Sequence, residues 1–207
     1  VEGMAFWLQH PCEKTLELLK KFERSKFPFV LIDRYVRGMN SDFVVTDNVD
    51  AGYQLTKVLV DRGHRRIGFM TTELDNTATE DRHTGYQRAL QEAGLDYEPE
   101  LIAVFTASGD TPGTLVSRVM AHRKRPSAFV CTNDGIAEKL VDCLMELGYQ
   151  VPGDVEVATV DDNQFADASE IPMITISQAG YEMGRRSADV LLGRIQDPTR
   201  EYQQVFL

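Results

Sequence analysis

Cysteine is scarce in this sequence, which has only three in 207 residues. Cys12, Cys131 and Cys143 are far apart, and no Cys-x-x-Cys pair occurs. A disulfide framework or a structural zinc site needs closely patterned cysteines, so neither is expected. Three free thiols are typical of a protein in a reducing compartment, and they predict a cytoplasmic location.

Positive charge is also in short supply. Lys and Arg total 22 against 32 Asp and Glu, which gives a formal net charge of −10. Attraction to DNA phosphates depends on basic side chains, so this chain is a poor candidate for holding DNA by itself. The short basic run at 123–125 is predicted to be a solvated helix end.

Membrane-spanning and catalytic patterns are absent. No apolar run reaches the roughly 20 residues that cross a bilayer, and no signal-peptide pattern opens the chain. The motifs GxSxG, GxGxxG, HExxH and the Walker loop do not occur. Asp161 and Asp162 are adjacent, but no His or third acid lies at ligand spacing. We therefore expect no catalytic residue, no cofactor and no metal site.

Apolar runs of strand length alternate with amphipathic stretches along the whole chain. Between residues 43 and 70, a short strand precedes a helix with Leu55 and Leu59 on its apolar face, which Gly63 ends before a second strand. A strand, a crossover helix and another strand imply a parallel sheet. Predicted strands lie at 1–7, 29–32, 43–45, 67–70, 101–105, 128–131, 155–160, 174–176 and 205–207. The sequence therefore predicts an α/β fold class.

Four of the predicted helices have recognisable starts. Asp47 or Asn48 can cap the helix after the third strand, and the next helix should begin near Thr77 or Thr79. Thr111 followed by Pro112 combines a cap with a proline at the first helical position. A further helix should be capped by Asn133 or Thr132. These starts follow predicted strands, which strengthens the β/α alternation.

Function is expected at one edge of these sheets, because ligands bind beyond the carboxyl ends of strands in open parallel sheets. The residues that follow the predicted strands are Gln9, His10, Asp33, Arg34, Tyr35, Asp47, Asn48, Asn76, Thr79, Arg82, Thr106, Ser108, Asp110, Asn133, Asp134, Asp161, Asp162, Ser177 and Gln178. Their side chains offer both hydrogen-bond donors and acceptors, and the planar guanidinium group of Arg presents several N–H donors side by side. This combination favours a polyhydroxylated ligand.

Five ordered motifs extend this interpretation: TDN with a helix and GHRRIGFM, then RHTGYQRAL, FVCTNDGIAEKL, VATVDDNQFAD and ITISQ. Together they resemble the effector domain of the lactose/galactose repressor family, over almost the whole chain. That domain has the periplasmic-binding-protein type I fold. Some regulators attach a winged-helix head of the gluconate-repressor type to the same domain, as the arabinose repressor does.

The resemblance implies two Rossmann-like lobes with parallel sheets and a small effector in the cleft. It implies an N-terminal lobe of residues 1–65 and 178–196, and a C-terminal lobe of residues 66–177 and 197–207. The family has a strand, helix, strand and helix before the run that resembles VEGMAF, so the N-terminal lobe is expected to be incomplete. It also implies a homodimer that contacts DNA only through a head that is absent here.

The resemblance and the strand-end pattern give six candidate ligand-binding residues: Arg82, Asn133, Asp161, Gln178, Asp47 and Thr79. Arg82 and Asp161 fall where the family binds sugar hydroxyls. Asp161 is preferred over Asp162 as the ligand contact. Each candidate also has a structural interpretation. Arg82 could be a solvated helix residue paired with Glu80 or Asp81, and Gln178 could be a hinge residue. Helix capping could account for Asn133, Asp47 and Thr79, and a turn for Asp161.

Two other residues are interpreted structurally. Trp7 is expected in the core or at the lobe interface, with sugar stacking as its alternative role. His64, in the Gly-His turn, is expected to be structural rather than catalytic.

The predicted function is effector sensing, with a sugar as the expected effector, in a bacterial transcription regulator that is not an enzyme. One alternative is an extracytoplasmic sugar-binding protein that supplies a transporter. The GHRRI turn and the three thiols argue against it. A second alternative is an enzyme on a similar sheet, which turnover of the bound ligand would reveal.

Overall fold

The computed structural model describes residues 1–8, 12–72, 76–106, 109–161 and 171–207. Its strands are β1 (Met4–Trp7), β2 (Phe29–Ile32), β3 (Asp42–Val45), β4 (Ile67–Thr72), β5 (Ile102–Phe105), β6 (Ala128–Cys131), β7 (Glu156–Asp161), β8 (Ile174–Ser177) and β9 (Gln204–Phe206). Its α-helices are α1 (Glu13–Ser25), α2 (Asn48–Asp61), α3 (Thr77–Glu92), α4 (Pro112–Met120), α5 (Asp134–Glu146) and α6 (Gly180–Gln196). The predicted α/β class with parallel sheets is confirmed.

The chain forms two compact units. Unit 1 comprises Val1–Asp47, Asp75–Ala78 and Ala179–Leu207, and unit 2 comprises Asn48–Leu74 and Thr79–Gln178. Unit 1 holds a four-stranded parallel sheet in the order β1-β2-β3-β9. Alternate strand residues face opposite sides. Leu31 therefore packs with Leu19 of α1, while Val30 packs with Met183 and Val190 of α6.

Unit 2 holds a five-stranded parallel sheet in the order β5-β4-β6-β7-β8. Leu55 of α2 and Tyr86 of α3 pack with Phe69 on one face. Leu115 of α4 and Leu140 of α5 belong to the cluster on the other face. Helices on both faces explain why the central strands are apolar throughout instead of alternating with polar residues.

The predicted lobe boundaries differ from the two compact units most in two long stretches. Residues 197–207 are predicted in the second lobe, but β9 pairs with β3 in unit 1, where Phe43 lies opposite Gln204. Residues 48–65 are predicted in the first lobe, but α2 packs its apolar face on the sheet of unit 2. In both cases the packing partner is distant in sequence, so local pattern cannot identify it.

Local helix signals predict several boundaries correctly. Thr111 caps α4, with its Oγ1 accepting from the Thr114 N–H at 3.3 Å, and Pro112 is the first helical residue. Asn133 caps α5. Gly63 follows α2 with a positive φ of 99°, which a residue without a side chain adopts at low cost. None of the described helices is long and apolar enough to cross a membrane.

The three cysteines are free thiols at different depths, which predicts an order of reactivity. Cys12 is exposed, and a hydrogen bond with the Thr15 hydroxyl lowers its pKa. Burial raises the pKa of Cys131 strongly and that of the half-buried Cys143 less strongly. Because the thiolate is the reacting species, a thiol-disulfide reagent should modify Cys12 first in the native protein and Cys131 only on unfolding. Cys12→Ser should remove the fast phase; a fast phase that persists would contradict the assignment.

Candidate functional site

Arg82, in the first turns of α3, lies at the carboxyl end of β6 in unit 2. Its Nε donates to Asn48 Oδ1 at 2.7 Å, and its Nη1 donates to the main-chain oxygen of Thr132, directly after β6. The side chain is buried, so the structure excludes the interpretation of Arg82 as a solvated helix-face residue. These two hydrogen bonds, one to α2 and one to the residue after β6, fix the direction of the guanidinium group.

A close helix crossing brings Arg82 to this position. Gly52 of α2 lies against the main chain of Arg82, so closely that a Cβ there would come within 2.0 Å of the Arg82 oxygen. The neighbouring His83 packs against Phe69, and burial lowers its pKa. His83 therefore adds no positive charge beside Arg82 at neutral pH.

Buried polar groups concentrate at the same edge. Thr132 Oγ1 donates to Thr71 Oγ1 at 3.2 Å, which links the ends of β6 and β4. The buried polar residues of unit 2 around the strand ends include Asn48, Thr71, Thr79, Asp81, Arg82, Thr132 and Thr159. Polar groups are costly to bury, so their concentration at one sheet edge favours a role in recognition over one in packing.

The other candidates of unit 2 stand near strand ends. Asn133 follows β6, and its Oδ1 accepts from the Ile136 N–H at 3.0 Å. Capping is therefore confirmed, and ligand contact, which is compatible with it, stays a prediction. Thr79 is buried in the first turn of α3, and the half-buried Gln178 follows β8. Asp161 ends β7 beside Ser177 of β8. Its side chain lies outside the described part of the chain.

Asp47 belongs to unit 1, where its N–H donates to the Leu207 oxygen at 2.9 Å. Its exposed side chain follows β3, at the carboxyl edge of that sheet. The other polar residues that the sequence places after strands include Gln9, His10, Ser108 and Asp162, which lie outside the described residues.

The structure excludes one of the two positions expected for Trp7, the core, and the lobe-interface position stays a prediction. The Trp7 side chain is 61% exposed at the end of β1, so it is not a core residue of unit 1. Its Nε1 donates to Asp33 Oδ2 at 3.0 Å, and Arg34 Nη1 donates to the Leu8 oxygen at 3.0 Å. Asp33 has a positive φ of 69°, an uncommon conformation for a residue other than glycine. An exposed indole held by a carboxylate at the carboxyl edge is a surface on which a sugar ring can stack.

The sequence contains one signal for this arrangement: Asp33 directly follows a predicted strand and tolerates the left-handed conformation. The Trp7–Asp33 pairing itself depends on β1 and β2 lying side by side in parallel. His64 is structural, as predicted, with its Nδ1 2.7 Å from Ser127 Oγ at the opposite, amino-terminal end of the sheet. Among the described residues, no cluster of three or more potential metal ligands occurs.

Comparison with known proteins agrees with this architecture. A family model described as a periplasmic binding protein-like domain matches residues 56–207. The chain is 29% identical to the HTH-type transcriptional repressor PurR of Vibrio atlanticus, over 97% of this chain and 60% of that protein. It is 31% identical to the ribose operon repressor of Haemophilus influenzae, over 87% of this chain and 54% of that protein. The chain thus spans about 60% or less of the length of these relatives.

A solved structure gives the same result. The transcriptional regulator CelR–cellobiose complex has a TM-score of 0.88 to this chain at 27% identity, covering 100% of this chain and 63% of that one. The two parallel sheets, the family match and these relatives confirm the family that the five sequence motifs predict. The chain belongs to the periplasmic binding protein-like domain family, as an effector-binding domain of the lactose/galactose repressor type.

Proposed function

We propose that this chain is the effector-sensing domain of a cytoplasmic bacterial transcription regulator, and that its effector is a sugar. The observation that carries the proposal is Arg82, buried and fixed by Asn48 and Thr132 at the carboxyl end of β6. The CelR structure contains cellobiose, and the relatives are named as transcriptional repressors, which supports both parts of the proposal.

The proposed ligand contacts in unit 2 are Arg82, Asn133, Asp161, Gln178 and Thr79. A guanidinium, amides, a hydroxyl and a carboxylate together supply both donors and acceptors, which vicinal hydroxyl groups require. Unit 1, taken by itself, has its own candidate contacts at the carboxyl edge of its sheet: Asp47, and the exposed Trp7 with Asp33. The Trp7 ring supplies an apolar face for the C–H side of a sugar ring.

The proposed mechanism is a population shift. An effector changes the regulator only if it binds one conformation of the domain more tightly than another. DNA contact is assigned to another part of the protein, because this chain carries a net charge of −10. We further propose that the regulator is a homodimer and that the domain performs no catalysis.

The first test is ligand-induced stabilisation against a panel of monosaccharides, disaccharides, pentoses, sugar acids and nucleobases. A ligand at a hundred times its dissociation constant should raise the unfolding free energy by about 2.7 kcal/mol. Asn133→Asp is the sharpest variant, because Asp also caps helices but lacks the amide donors. We expect unchanged stability without ligand and at least roughly tenfold weaker binding, measured by calorimetry.

The matched control is Thr111→Asp, which replaces the α4 cap in the same way and should leave binding unchanged. Arg82→Lys keeps the charge but loses the fork that spans Asn48 and Thr132, and it should also weaken binding. If a sugar binds equally well to the Asn133→Asp and Arg82→Lys variants, the assigned site is wrong. Chemical change of a bound sugar would favour an enzyme instead.

The transporter alternative makes a different prediction. A sugar-binding protein that supplies a transporter would carry a signal peptide in its complete gene, whereas a regulator would carry a DNA-binding head. The names of the repressor relatives favour the regulator. Sequencing the complete gene distinguishes the two without any binding measurement.

A further inference from the structure

β9 is the last strand in the sheet of unit 1, where the order is β1-β2-β3-β9, and no other strand in the described part of the chain pairs with its outer edge. The Gln203 oxygen accepts from the Phe43 N–H and the Leu207 N–H donates to the Val45 oxygen, both at 2.9 Å. Because strand residues alternate in direction, the main-chain groups of Gln204 and Phe206 point away from β3. Outward N–H and C=O groups form a template on which another strand can pair.

An open surface groove of about 550 Å³ lies beside this edge. It is lined by Arg186, Asp189, Val190, Arg200, Gln203, Gln204 and Val205. Val190 and Val205 belong to the apolar cluster between α6 and the sheet, so they give the groove an apolar floor. This groove and the outer edge of β9 therefore form one continuous surface, which we call the β9 groove.

One arginine of the β9 groove, Arg200, has no side-chain partner among the described residues. The Arg200 side chain makes no hydrogen bond or ion pair with any residue that the structure describes. Its guanidinium lies over Gly193, where a Cβ would come within 1.8 Å of Nη1. The Thr199 hydroxyl and N–H groups both donate to Asp197 Oδ1, and these hydrogen bonds are the main cause of the lowered pKa of Asp197, to which the charge of Arg200 contributes less.

The second arginine of the groove has only a weak ion pair. Arg186 Nε lies 3.4 Å from Glu182 Oε1, and Arg185 competes for the same carboxylate through two hydrogen bonds. Arg185 also holds Asp189 at 3.0 Å, so the one acidic residue of the groove is engaged outside it. The groove thus presents two guanidinium groups whose capacity to bind carboxylates is largely unused.

We propose that the β9 groove binds an extended, acidic peptide segment of a partner protein, which adds to the sheet as a parallel or antiparallel strand beside β9. Main-chain pairing would supply affinity, and alternate acidic side chains would reach Arg186 and Arg200 on the α6 side. The other side of the strand would meet Phe206, which is 51% exposed and packs edge-on against Phe43.

A second copy of this chain fits the groove poorly. Antiparallel pairing of two β9 strands would bring two sets of Arg186 and Arg200 together on the same face of the sheet. Like charges opposed in this way are destabilising. Charge complementarity therefore favours an acidic partner.

The test uses a fluorescein-labelled peptide of three Glu-Val repeats, with a Lys-Val peptide of the same length as its counterpart, and measures fluorescence anisotropy. The acidic peptide should bind saturably and the basic one should not. Gln204→Pro removes one outward N–H and should weaken binding at least roughly tenfold, whereas Gln204→Ala keeps that N–H and should weaken binding far less. Arg200→Gln should weaken binding about tenfold and flatten its salt dependence.

The proposal would be overturned by no saturable binding, by equal binding of the Lys-Val peptide, or by unchanged binding of the acidic peptide to the Arg200→Gln variant. Circular dichroism checks that each variant is folded. Arg200 has no described partner, so Arg200→Gln decides the question even if Gln204→Pro does not fold. Concentration-dependent dimerisation that Gln204→Pro abolishes would assign the edge to a second copy and would also overturn it.

Discussion

Replacing Asp42 with Ala is expected to lower the free energy of unfolding of unit 1 by about 4 kcal/mol. Asp42 and Arg194 are 1% and 5% exposed, respectively. Arg194 Nε and Nη2 donate to the two carboxylate oxygens at 2.8 and 3.1 Å. Removing the carboxylate leaves a buried guanidinium without its counter-charge, which is far more costly than losing an exposed ion pair.

The pair also organises the chain around it. Arg194 donates to the main-chain oxygens of Pro198, Arg200 and Glu201, and Asp42 Oδ1 accepts from the Gln203 N–H at 2.7 Å. Hydrogen bonding to Asp42 raises the pKa of Arg194, so the guanidinium stays charged. The pair thus ties the end of α6 and the segment before β9 to the start of β3.

Urea denaturation followed by circular dichroism measures this effect. The matched control is Arg185→Ala, which breaks an exposed ion pair on the same helix and should change the midpoint little. Asp42→Leu combined with Arg194→Met removes both charges and should be less destabilised than the sum of the single variants. An Asp42→Ala variant as stable as Arg185→Ala would contradict this assignment.

The sequence predicts where helices and strands begin and end better than it predicts which residues they pack against or bind. Thr111, Pro112 and Asn133 act within a few residues of their own position, so local pattern is sufficient to place two helix starts. The partner of Asp42 lies 152 residues away, and no local pattern indicates it. The same limitation explains why the final strand is predicted in the wrong unit.

In the candidate site, too, the sequence predicts a residue but not the distant residues that contact it. The family resemblance indicates Arg82, and its position at the carboxyl edge fits that prediction. Its anchors cannot be predicted, because Asn48 and Thr132 lie 34 and 50 residues away along the chain. The core position considered for Trp7 is wrong, because an aromatic residue at the end of an apolar run suggests burial, whereas the structure leaves the side chain exposed.

The second large effect is expected from Gly52→Ala and Gly85→Ala, each of which should destabilise unit 2 by about 3 kcal/mol. A Cβ at Gly52 would lie 2.0 Å from the Arg82 oxygen, and one at Gly85 would lie 2.0 Å from the Val49 oxygen. Main chain cannot rotate away as a flexible side chain can, so α2 and α3 would have to separate.

The helix propensity of alanine would by itself stabilise each of these variants, so a loss of stability can be assigned to the steric clash. Alanine favours a helix over glycine by up to about 1 kcal/mol, so an uncrowded glycine should give stabilisation. Gly113, near the start of α4 in the same unit, serves as the control, because a Cβ there would have no described atom within 4 Å. Gly113→Ala should therefore raise the urea midpoint slightly, while Gly52→Ala and Gly85→Ala should lower it.

The crossing also connects stability to the proposed function. Gly52 packs against the main chain of Arg82, so separating α2 from α3 would pull the guanidinium away from Asn48 and Thr132. We expect Gly52→Ala to weaken effector binding even below the temperature at which it unfolds, whereas Gly113→Ala should bind normally. If Gly52→Ala binds the effector with unchanged affinity while folded, then the position of Arg82 does not depend on the crossing of α2 and α3.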